Sequence, residues 1–252
     1  MISVNDEEVT PTMFPDKTSQ IWNIPSIYSS PKKFNITWLF ESEAELFHLQ
    51  QIVDLIKYAR VPCLVNLYIP YLPYGRQDKD ISNTTTFALH SFAKIINNMY
   101  FDKVETIDAH SNIASALINN FVSHSPDTSI LDTLGCLSVD SIAFPDKGAC
   151  DRYRDLKCLQ GCDVIIGHKE RCQSTGYITS YNIEGNVKGN NVLMVDDLCD
   201  GGMTFKLMAD QMIKDGAKDL HLFVSHGIFS KGTQTLRDSG IKRIFTHTGE
   251  VI

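Results

Sequence analysis

Three carboxylates and a pair of glycines stand together where an apolar run gives way to a helical pattern. The run NVLMVDDLCDGGMTF covers residues 191–205, and its acids and glycines are Asp196, Asp197, Asp200, Gly201 and Gly202. Glycines ahead of a helix leave backbone N–H groups accessible, which suits a phosphate. Carboxylates repel a phosphate, but they accept hydrogen bonds from sugar hydroxyls or bind Mg²⁺. We therefore expect a sugar phosphate here, because a helix N-terminus whose acids favour the dipole explains only one of the carboxylates.

The composition is that of an ordinary globular protein. Of 252 residues, 43% are hydrophobic and 21% charged, which is enough apolar material for one large or two small domains. The net charge of -7 offers no basic surface for nucleic acid, so phosphate must be held by backbone amides, metal or a few cations. Seven cysteines without a CxxC pair predict a reduced, cytoplasmic protein. We expect no signal peptide and no membrane partner, because no apolar run is long enough.

Strand-like and helix-like segments alternate along the chain. Strands are predicted at 61–69, 103–108, 141–145, 163–167, 177–182, 191–195, 220–225 and 242–246. Helices are predicted at 41–59, 86–100, 112–121, 149–159, 203–214 and 230–238. This alternation predicts an α/β fold with mostly parallel sheets covered by helices on both faces. Ligands bind beyond the carboxyl ends of the strands in such sheets, which is where the acids and glycines fall.

Two domains are predicted. The turn-rich sequence HSPDTS near residues 123–130 separates a first domain, 1–125, from a second, 126–252. The first 24 residues are less regular, and we interpret them as a hairpin with MISVN and SQIWNI as its arms.

Several ordered motifs resemble those of one family, the ribose-phosphate diphosphokinases or phosphoribosyl pyrophosphate synthetases, which have the type I phosphoribosyltransferase fold. Besides 191–205, the matching segments are IPYLPYGRQDKD (69–80), IDAHSN (107–112), FPDKGA (144–149), IGHKERCQSTG (166–176) and VSHGIFSKG (224–232). The resemblance implies two phosphoribosyltransferase-like, Rossmann-like domains with the active site between them. The ATP-binding elements would come from the first domain, and the catalytic and ribose-phosphate loops from the second.

The resemblance also implies residues for ATP and for metal. Arg76 and Gln77 would hold the triphosphate of ATP, since the planar fork of arginine suits phosphate oxygens. His110 and Asp146 would bind Mg²⁺ on the ATP phosphates. A surface salt bridge for Arg76 and a structural role for His110 are the alternatives when each motif is taken alone.

Two further pairs are assigned in the same way. Phe14 would stack on adenine and Asp16 would hydrogen-bond to it across a subunit interface, so a homo-oligomer is expected, although Thr18 stands where the family has Glu. Lys169 and Arg171 would lie on a mobile loop and stabilise charge at the phosphorus. A core position for Phe14 and a solvated cluster for the two cations remain alternatives.

The ribose-phosphate loop departs from the family pattern. Its residues are Asp196, Asp197, Asp200, Gly201, Gly202, Met203 and Thr204. The family has a threonine where Gly201 stands and a glycine where Met203 stands. Losing a hydroxyl opens space beside the 5-phosphate, so we hypothesise that the acceptor is extended there, as in ADP-ribose. The chain also lacks family segments before FPDKGA and after its last strand, so we do not carry over hexamer assembly or control by ADP or phosphate.

The predicted function is Mg²⁺-dependent transfer of the β,γ-diphosphate of ATP to the C1 hydroxyl of ribose 5-phosphate or ADP-ribose, with release of AMP. The product would feed nucleotide or NAD salvage. Two alternatives stay open: a non-catalytic nucleotide-binding regulatory homologue, and a base phosphoribosyltransferase, which shares the 191–205 motif. The second alternative has no use for Arg76 and Gln77.

Overall fold

The computed structural model describes residues 1–24, 27, 32–59, 62–80, 84–171 and 178–252, without the side chains of 170–171 and 178–180. The chain divides into two compact units, Met1–His124 and Ser125–Ile252. The sequence-based boundary at 125/126 lies one residue from this division. Among the described residues, no helix combines the length and the apolar character needed to cross a bilayer.

The first unit is a mostly parallel sheet with helices between its strands. Its strands are β1 (Ile2–Val4), β2 (Glu7–Glu8), β3 (Thr12–Met13), β4 (Ser19–Gln20), β5 (Lys33–Trp38), β6 (Leu64–Tyr68), β7 (Lys103–Ile107) and β8 (Phe121–His124). Its helices are α1 (Glu45–Tyr58), α2 (Ala88–Asn98) and α3 (Ile113–Leu117). The sheet has the order β2-β1-β5-β6-β7-β8, and β5 to β8 run parallel. The carboxyl ends of β6 and β7 therefore lie at one edge.

Helix α2 forms where the apolar stripe predicts it. Leu89, Phe92, Ile96 and Met99 are at most 2% exposed, which confirms the stripe. Their spacing of three and four residues places them on one face of a helix, and that face packs on the sheet.

Helix α1 begins at Glu45, four residues after the start predicted from the sequence. The Glu45 carboxylate accepts hydrogen bonds from the backbone N–H groups of Glu41 at 2.8 Å and Ser42 at 3.2 Å. It also accepts one from the indole N–H of the buried Trp38 at 2.9 Å, which joins the start of the helix to the end of β5.

Three expectations for the first unit were wrong. The arms MISVN and SQIWNI do not pair with each other; β1 pairs with β2 and β5, and β3 pairs with β4. The chain reverses early because Asn5 and Asp6 have left-handed φ angles of 48° and 66°, which make a short turn after β1. The predicted helix 112–121 ends at Leu117, and β8 begins at Phe121. Strand β5 was not predicted.

The second unit is also a mostly parallel sheet. Its strands are β9 (Ser141–Phe144), β10 (Asp163–Arg171), β11 (Ile178–Glu184), β12 (Asn191–Cys199), β13 (Asp219–Gly227), β14 (Ile241–Thr246) and β15 (Gly249–Val251). Its α-helices are α4 (Asp127–Gly135), α5 (Lys147–Tyr153), α6 (Met203–Lys214) and α7 (Gln234–Asp238). The order is β11-β10-β9-β12-β13-β14-β15, with antiparallel strands at both edges.

Strand β12 is buried on both faces along its first half. Val192, Leu193, Met194 and Val195 are all 0% exposed. Val192 and Met194 pack in one apolar cluster with α6, whereas Leu193 and Val195 pack in another with α4 and α5. The predicted α/β class with helices on both faces is confirmed by this arrangement.

Two expectations for the second unit need correction at functional positions. Lys169 and Arg171 were expected on a mobile loop, but β10 continues through both of them because it pairs with β11 as far as Arg171 and Ile178. Residues 172–177 of that segment lie outside the described residues. Strand β12 does not end at 195 either, because its pairing with β13 continues to Cys199.

The helices of the second unit also differ from expectation. The predicted helix 149–159 is α5 followed by a short 3₁₀ turn, Lys157–Leu159, and the predicted helix 230–238 is only the short α7. Helix α4 was not predicted, and α6 has the bounds expected from the sequence.

Candidate functional site

Two of the three acids of the 191–205 segment, Asp196 and Asp197, lie on a strand. Asp196 is level with Val224 of β13, and Cys199 is level with Gly227. The backbone that carries Asp196 and Asp197 is therefore held by hydrogen bonds to a neighbouring strand, at the carboxyl edge of the sheet. Their carboxylates are fixed in place more firmly than on a loop.

The two adjacent carboxyl groups have different environments. Asp197 is 6% exposed, and its Oδ2 lies 3.1 Å from Nη1 of Arg152 on α5. Burial and the neighbouring Asp197 raise the pKa of Asp196 well above its usual range. Two carboxylates this close cannot both ionise easily, so the fold favours the charge on the ion-paired Asp197 over a charge on Asp196.

The glycine pair turns the chain from β12 into α6. Gly202 has a left-handed φ of +74°, and a Cβ built on it would lie 3.0 Å from a methyl of Leu236. At Gly201, a Cβ would meet nothing closer than the Lys231 stem at 3.8 Å. Met203, the first residue of α6, is 54% exposed. A left-handed residue leading into a helix points successive N–H groups outward, which is a geometry that binds anions.

The two glycines should respond differently to the same substitution. Gly202→Ala should lower the free energy of unfolding by about 1–3 kcal/mol, because it adds left-handed strain and crowds Leu236. Gly201→Ala is the matched control and should stay within about 0.5 kcal/mol of wild type. Urea unfolding of both variants measures this, and equal losses would contradict the distinction.

Asp200 and Thr204 flank the glycines. Asp200 is exposed beyond the end of β12, and Thr204 is half-buried in the first turn of α6. The other predicted ribose-phosphate residues are close to these two in the chain: Asp196, Asp197, Gly201, Gly202 and Met203. All seven therefore lie on one strand-turn-helix connection.

Lys169 contacts another predicted site residue. Its Nζ lies 2.6 Å from Oδ2 of Asp146, and Oδ1 of Asp146 accepts the N–H of Ala149 at 3.0 Å to cap α5. Burial alone would raise the pKa of Asp146, but the hydrogen bonds from Lys169 and Ala149 outweigh it and hold the pKa below its usual value. Asp146 is therefore an anion at neutral pH.

Tyr181 fixes the backbone around this pair. Its hydroxyl donates to the carbonyl of Pro145 at 2.9 Å, directly before Asp146. The ring occupies the space beside Gly167, where any Cβ would collide with the hydroxyl. Gly167 thus lets β11 approach β10 closely two residues before Lys169. The backbone of Arg171 belongs to β10, and its side chain lies outside the described part.

In the first unit, the turn after β6 meets the segment after β7. A Cβ built on Gly75 would lie 3.8 Å from Cβ of His110, so the turn that carries Arg76 and Gln77 is next to His110. Arg76 and Gln77 are exposed, His110 is half-buried, and Asp108 is buried with a left-handed φ of 47°. The structure brings these three predicted ATP and metal residues to one edge of the sheet.

Phe14 and Asp16 lie at the tip of the β3–β4 hairpin. Phe14 is 37% exposed, and its ring lies edge-on to that of Trp22, 6.4 Å away, with Trp22 62% exposed. One oxygen of Asp16 accepts from both the N–H and the hydroxyl of Thr18, and these hydrogen bonds lower the pKa of Asp16. The two rings form an apolar surface that suits an adenine face, and Asp16 also holds the turn together.

No group of three His, Cys, Asp or Glu side chains that could hold a metal ion occurs among the described residues. His110 lies in the first unit and Asp146 in the second. Mg²⁺ in phosphoryl-transfer sites usually keeps several waters and takes one or two carboxylates plus substrate phosphates. The anionic Asp146 fits such a role, provided that it exchanges Lys169 for the metal.

Comparison with known proteins agrees with this arrangement. The family model described as the phosphoribosyl transferase domain matches residues 168–252. A ribose-phosphate pyrophosphokinase of Maricaulis maris is 29% identical over 74% of this chain, and ribose-phosphate pyrophosphokinase 4 of Saccharomyces cerevisiae is 26% identical over 82%. The chain is thus similar to ribose-phosphate pyrophosphokinases over most of its length. It spans 61% and 65% of the length of these two relatives.

The fold of these homologues is found in a solved structure. The phosphoribosylpyrophosphate synthetase of Mycobacterium smegmatis superposes with a TM-score of 0.80 at 19% identity, over 95% of this chain and 79% of that one. The predicted ribose-phosphate pyrophosphokinase resemblance and the phosphoribosyltransferase-like fold are thereby confirmed.

Sequence reasoning missed three residues of this candidate site. Arg152 pairs with Asp197, Tyr181 supports Pro145, and Lys231 lies over Gly201. Only the register of α5, counted from its cap at Asp146, could have pointed to Arg152. Nothing in the local sequence marks Tyr181.

Proposed function

We propose that this chain is a Mg²⁺-dependent ribose-phosphate diphosphokinase, which transfers the β,γ-diphosphate of ATP to the C1 hydroxyl of a ribose 5-phosphate acceptor. The observation that carries the proposal is the edge of the second sheet. There the pair formed by Lys169 on β10 and Asp146 at the start of α5 accompanies the carboxyl pair of β12 and the glycine turn that follows it. The pyrophosphokinase homologues support the same reaction class.

The acceptor is held by the 196–204 segment. The Asp197 carboxylate, fixed by Arg152, accepts a hydrogen bond from one ribose hydroxyl, and the carboxyl of Asp196 lies beside it as a second polar group for the ribose. The N–H groups at Gly202 and the start of α6 receive the 5-phosphate. This arrangement fixes the ribose without a covalent bond to the protein, so catalysis depends on positioning and charge.

In the transfer step, the C1 oxygen forms a bond to the β-phosphorus of ATP. The bond from that phosphorus to the α–β bridging oxygen breaks, AMP leaves with the electron pair, and the C1 hydroxyl proton passes to solvent. Lys169 and Arg171 stabilise the negative charge that develops at the β-phosphoryl group. Asp146 and His110 are each proposed as a magnesium ligand, and Mg²⁺ when bound would neutralise phosphate charge.

Arg76, Gln77, Phe14 and Asp16 are proposed to bind ATP. The first two lie exposed beside His110, where a triphosphate can reach the guanidinium. Phe14 offers an exposed ring for the adenine. A homo-oligomer is part of the same proposal, because in the resemblance this hairpin contacts ATP across a subunit interface.

ADP-ribose is a second candidate acceptor. The space beside Gly201 is open to 3.8 Å, and the exposed Met203 adds an apolar surface at the same turn. A turn without the threonine leaves more room beside the 5-phosphate than a turn that has it. A phosphate that carries a further substituent therefore fits this turn better. A role in NAD salvage would follow from that acceptor.

AMP release from Mg-ATP tests the proposal. The protein is incubated with ribose 5-phosphate or ADP-ribose, and the new diphosphate at C1 is followed by phosphorus NMR. We expect stoichiometric AMP and C1 diphosphate; no AMP with either acceptor would refute the proposed enzyme. Turnover with ribose 5-phosphate alone would refute the ADP-ribose candidate. A base phosphoribosyltransferase would instead consume added phosphoribosyl pyrophosphate in the presence of a free base.

A further inference from the structure

We infer that Lys231 binds the 5-phosphate of the acceptor and supplies the contact that a hydroxyl at position 201 would otherwise make. The inference rests on the proposed function, because it adds one cation to the ribose-phosphate turn described above. It starts from one juxtaposition, in which the aliphatic stem of Lys231 lies over Gly201.

The backbone after β13 places Lys231 there. The N–H groups of Ile228 and Phe229 both donate to the carbonyl of Cys199, at 2.9 and 3.2 Å. Gly232 then donates to the carbonyl of Phe229 at 2.7 Å, which closes a tight turn around Lys231. This turn is tied to the last residue of β12, so Lys231 moves together with the glycine turn that follows Cys199.

The side chain of Lys231 lies beside the position that a side chain at residue 201 would occupy. A Cβ built on Gly201 would lie 3.8 Å from both Cδ and Cε of Lys231. The lysine stem therefore runs along the face of the turn that Gly201 leaves open. The ammonium group follows directly after Cε, so it lies within reach of an anion held by the turn.

Lys231 differs from the other cations around the turn in having no carboxylate partner. Arg152 pairs with Asp197, Lys169 with Asp146, and Lys206 with Asp210 along α6. Across the described portion of the chain, Lys231 has neither an ion pair nor a hydrogen bond, although the exposed Asp200 stands in the same turn. A cation without a partner can pair with a ligand without first breaking a contact.

A phosphate is the ligand that this arrangement suits. The left-handed Gly202 and the first turn of α6 direct N–H groups and the positive end of a helix dipole to the same place. A terminal phosphate is a dianion, which N–H groups alone do not neutralise. The three donors of a lysine ammonium supply a full positive charge and replace the single donor of a hydroxyl.

Calorimetric titration of each acceptor without ATP tests the inference. Wild type, Lys231→Met and Lys231→Arg are titrated with ribose 5-phosphate and with ADP-ribose. Lys214→Met, at the far end of α6, is the control that changes the net charge equally. We expect Lys231→Met to bind both acceptors about 10-fold or more weakly and to lose part of the salt dependence. Lys231→Arg and Lys214→Met should stay within about threefold of wild type.

The outcomes distinguish a failure of the inference about Lys231 from a failure of the proposed function. Equal binding by wild type and Lys231→Met would overturn the inference and leave the proposed function standing. A loss confined to ADP-ribose would overturn the assignment to the 5-phosphate, because it would move the lysine to the second phosphate. No binding of either acceptor to wild type would overturn the proposed function, and the inference with it. Lys231 is exposed, so its variants should unfold like wild type, which thermal unfolding checks.

Discussion

Lys169→Ala should lower kcat by about 100-fold or more, with acceptor affinity kept within about twofold. The reason is that Lys169 contacts no part of the ribose-phosphate turn in the structure; it pairs with Asp146, where ATP phosphates and Mg²⁺ are proposed to bind. Its charge then matters most when negative charge develops at the β-phosphorus. Steady-state AMP release gives kcat, and acceptor titration gives the affinity.

The neighbouring His168 provides the control. Its side chain pairs with Glu184 on β11, at 3.0 Å, and successive residues of a strand face opposite sides. His168→Ala should therefore keep kcat within about threefold of wild type, since a surface pair contributes little. Unchanged kcat in Lys169→Ala would remove this lysine from the mechanism, and loss of activity in both variants would indicate damage to β10 rather than loss of a charge.

The same chemical change at two adjacent positions should have opposite effects on stability. Asp197→Asn should lower the free energy of unfolding by about 2–4 kcal/mol, because it leaves the largely buried Arg152 without its counter-ion. Asp196→Asn should raise stability at neutral pH. The fold disfavours the ionised form of the Asp196 carboxyl, whereas an amide is neutral at every pH.

The raised pKa of Asp196 determines in which direction the stability of the fold changes with pH. Its pKa is raised in the folded chain and lies near 3.9 in the unfolded chain, so the folded chain binds more protons between the two values. Stability then falls as pH rises through that window and stays low above it. The melting temperature of Asp196→Asn minus that of wild type should be near zero at about pH 4 and should grow towards neutral pH.

Thermal unfolding of both variants and wild type over that range is the measurement. A difference that shrinks with rising pH would show that Asp196 is ionised in the fold. Because the amide keeps one donor and one acceptor, Asp196→Asn should also keep more acceptor affinity than Asp197→Asn.

The parts of the site that follow one another in the chain could be predicted from sequence. The 196–204 segment needs only a strand, two glycines and a helix in succession, and α6 has the expected bounds. Parallel sheets with both faces covered followed from the alternation of strand-like and helix-like segments, and alternate residues of β12 do pack on opposite faces.

What depends on contacts between distant segments could not be predicted. The polar sequence around Lys169 resembles a loop, and only its pairing with β11 makes it a strand. The partner of Asp197 comes from a helix 45 positions earlier in the chain, at Arg152, and the lysine over Gly201 comes from the end of the next strand. Strand β5 is a different case, because Phe34, Ile36 and Trp38 alternate with more exposed residues and that signal was available.

The two tryptophans of the chain stand in opposite surroundings. Trp38 is 0% exposed against the core, whereas Trp22 is 62% exposed beside the ring of Phe14. Intrinsic fluorescence therefore separates into a blue-shifted emission that follows the integrity of the first unit and a red-shifted emission, open to quenching by solutes, that originates at the hairpin. A molecule that binds to the hairpin would quench the red-shifted emission of Trp22 without changing the emission of Trp38. The chain therefore carries its own fluorescent reporter of binding at the hairpin.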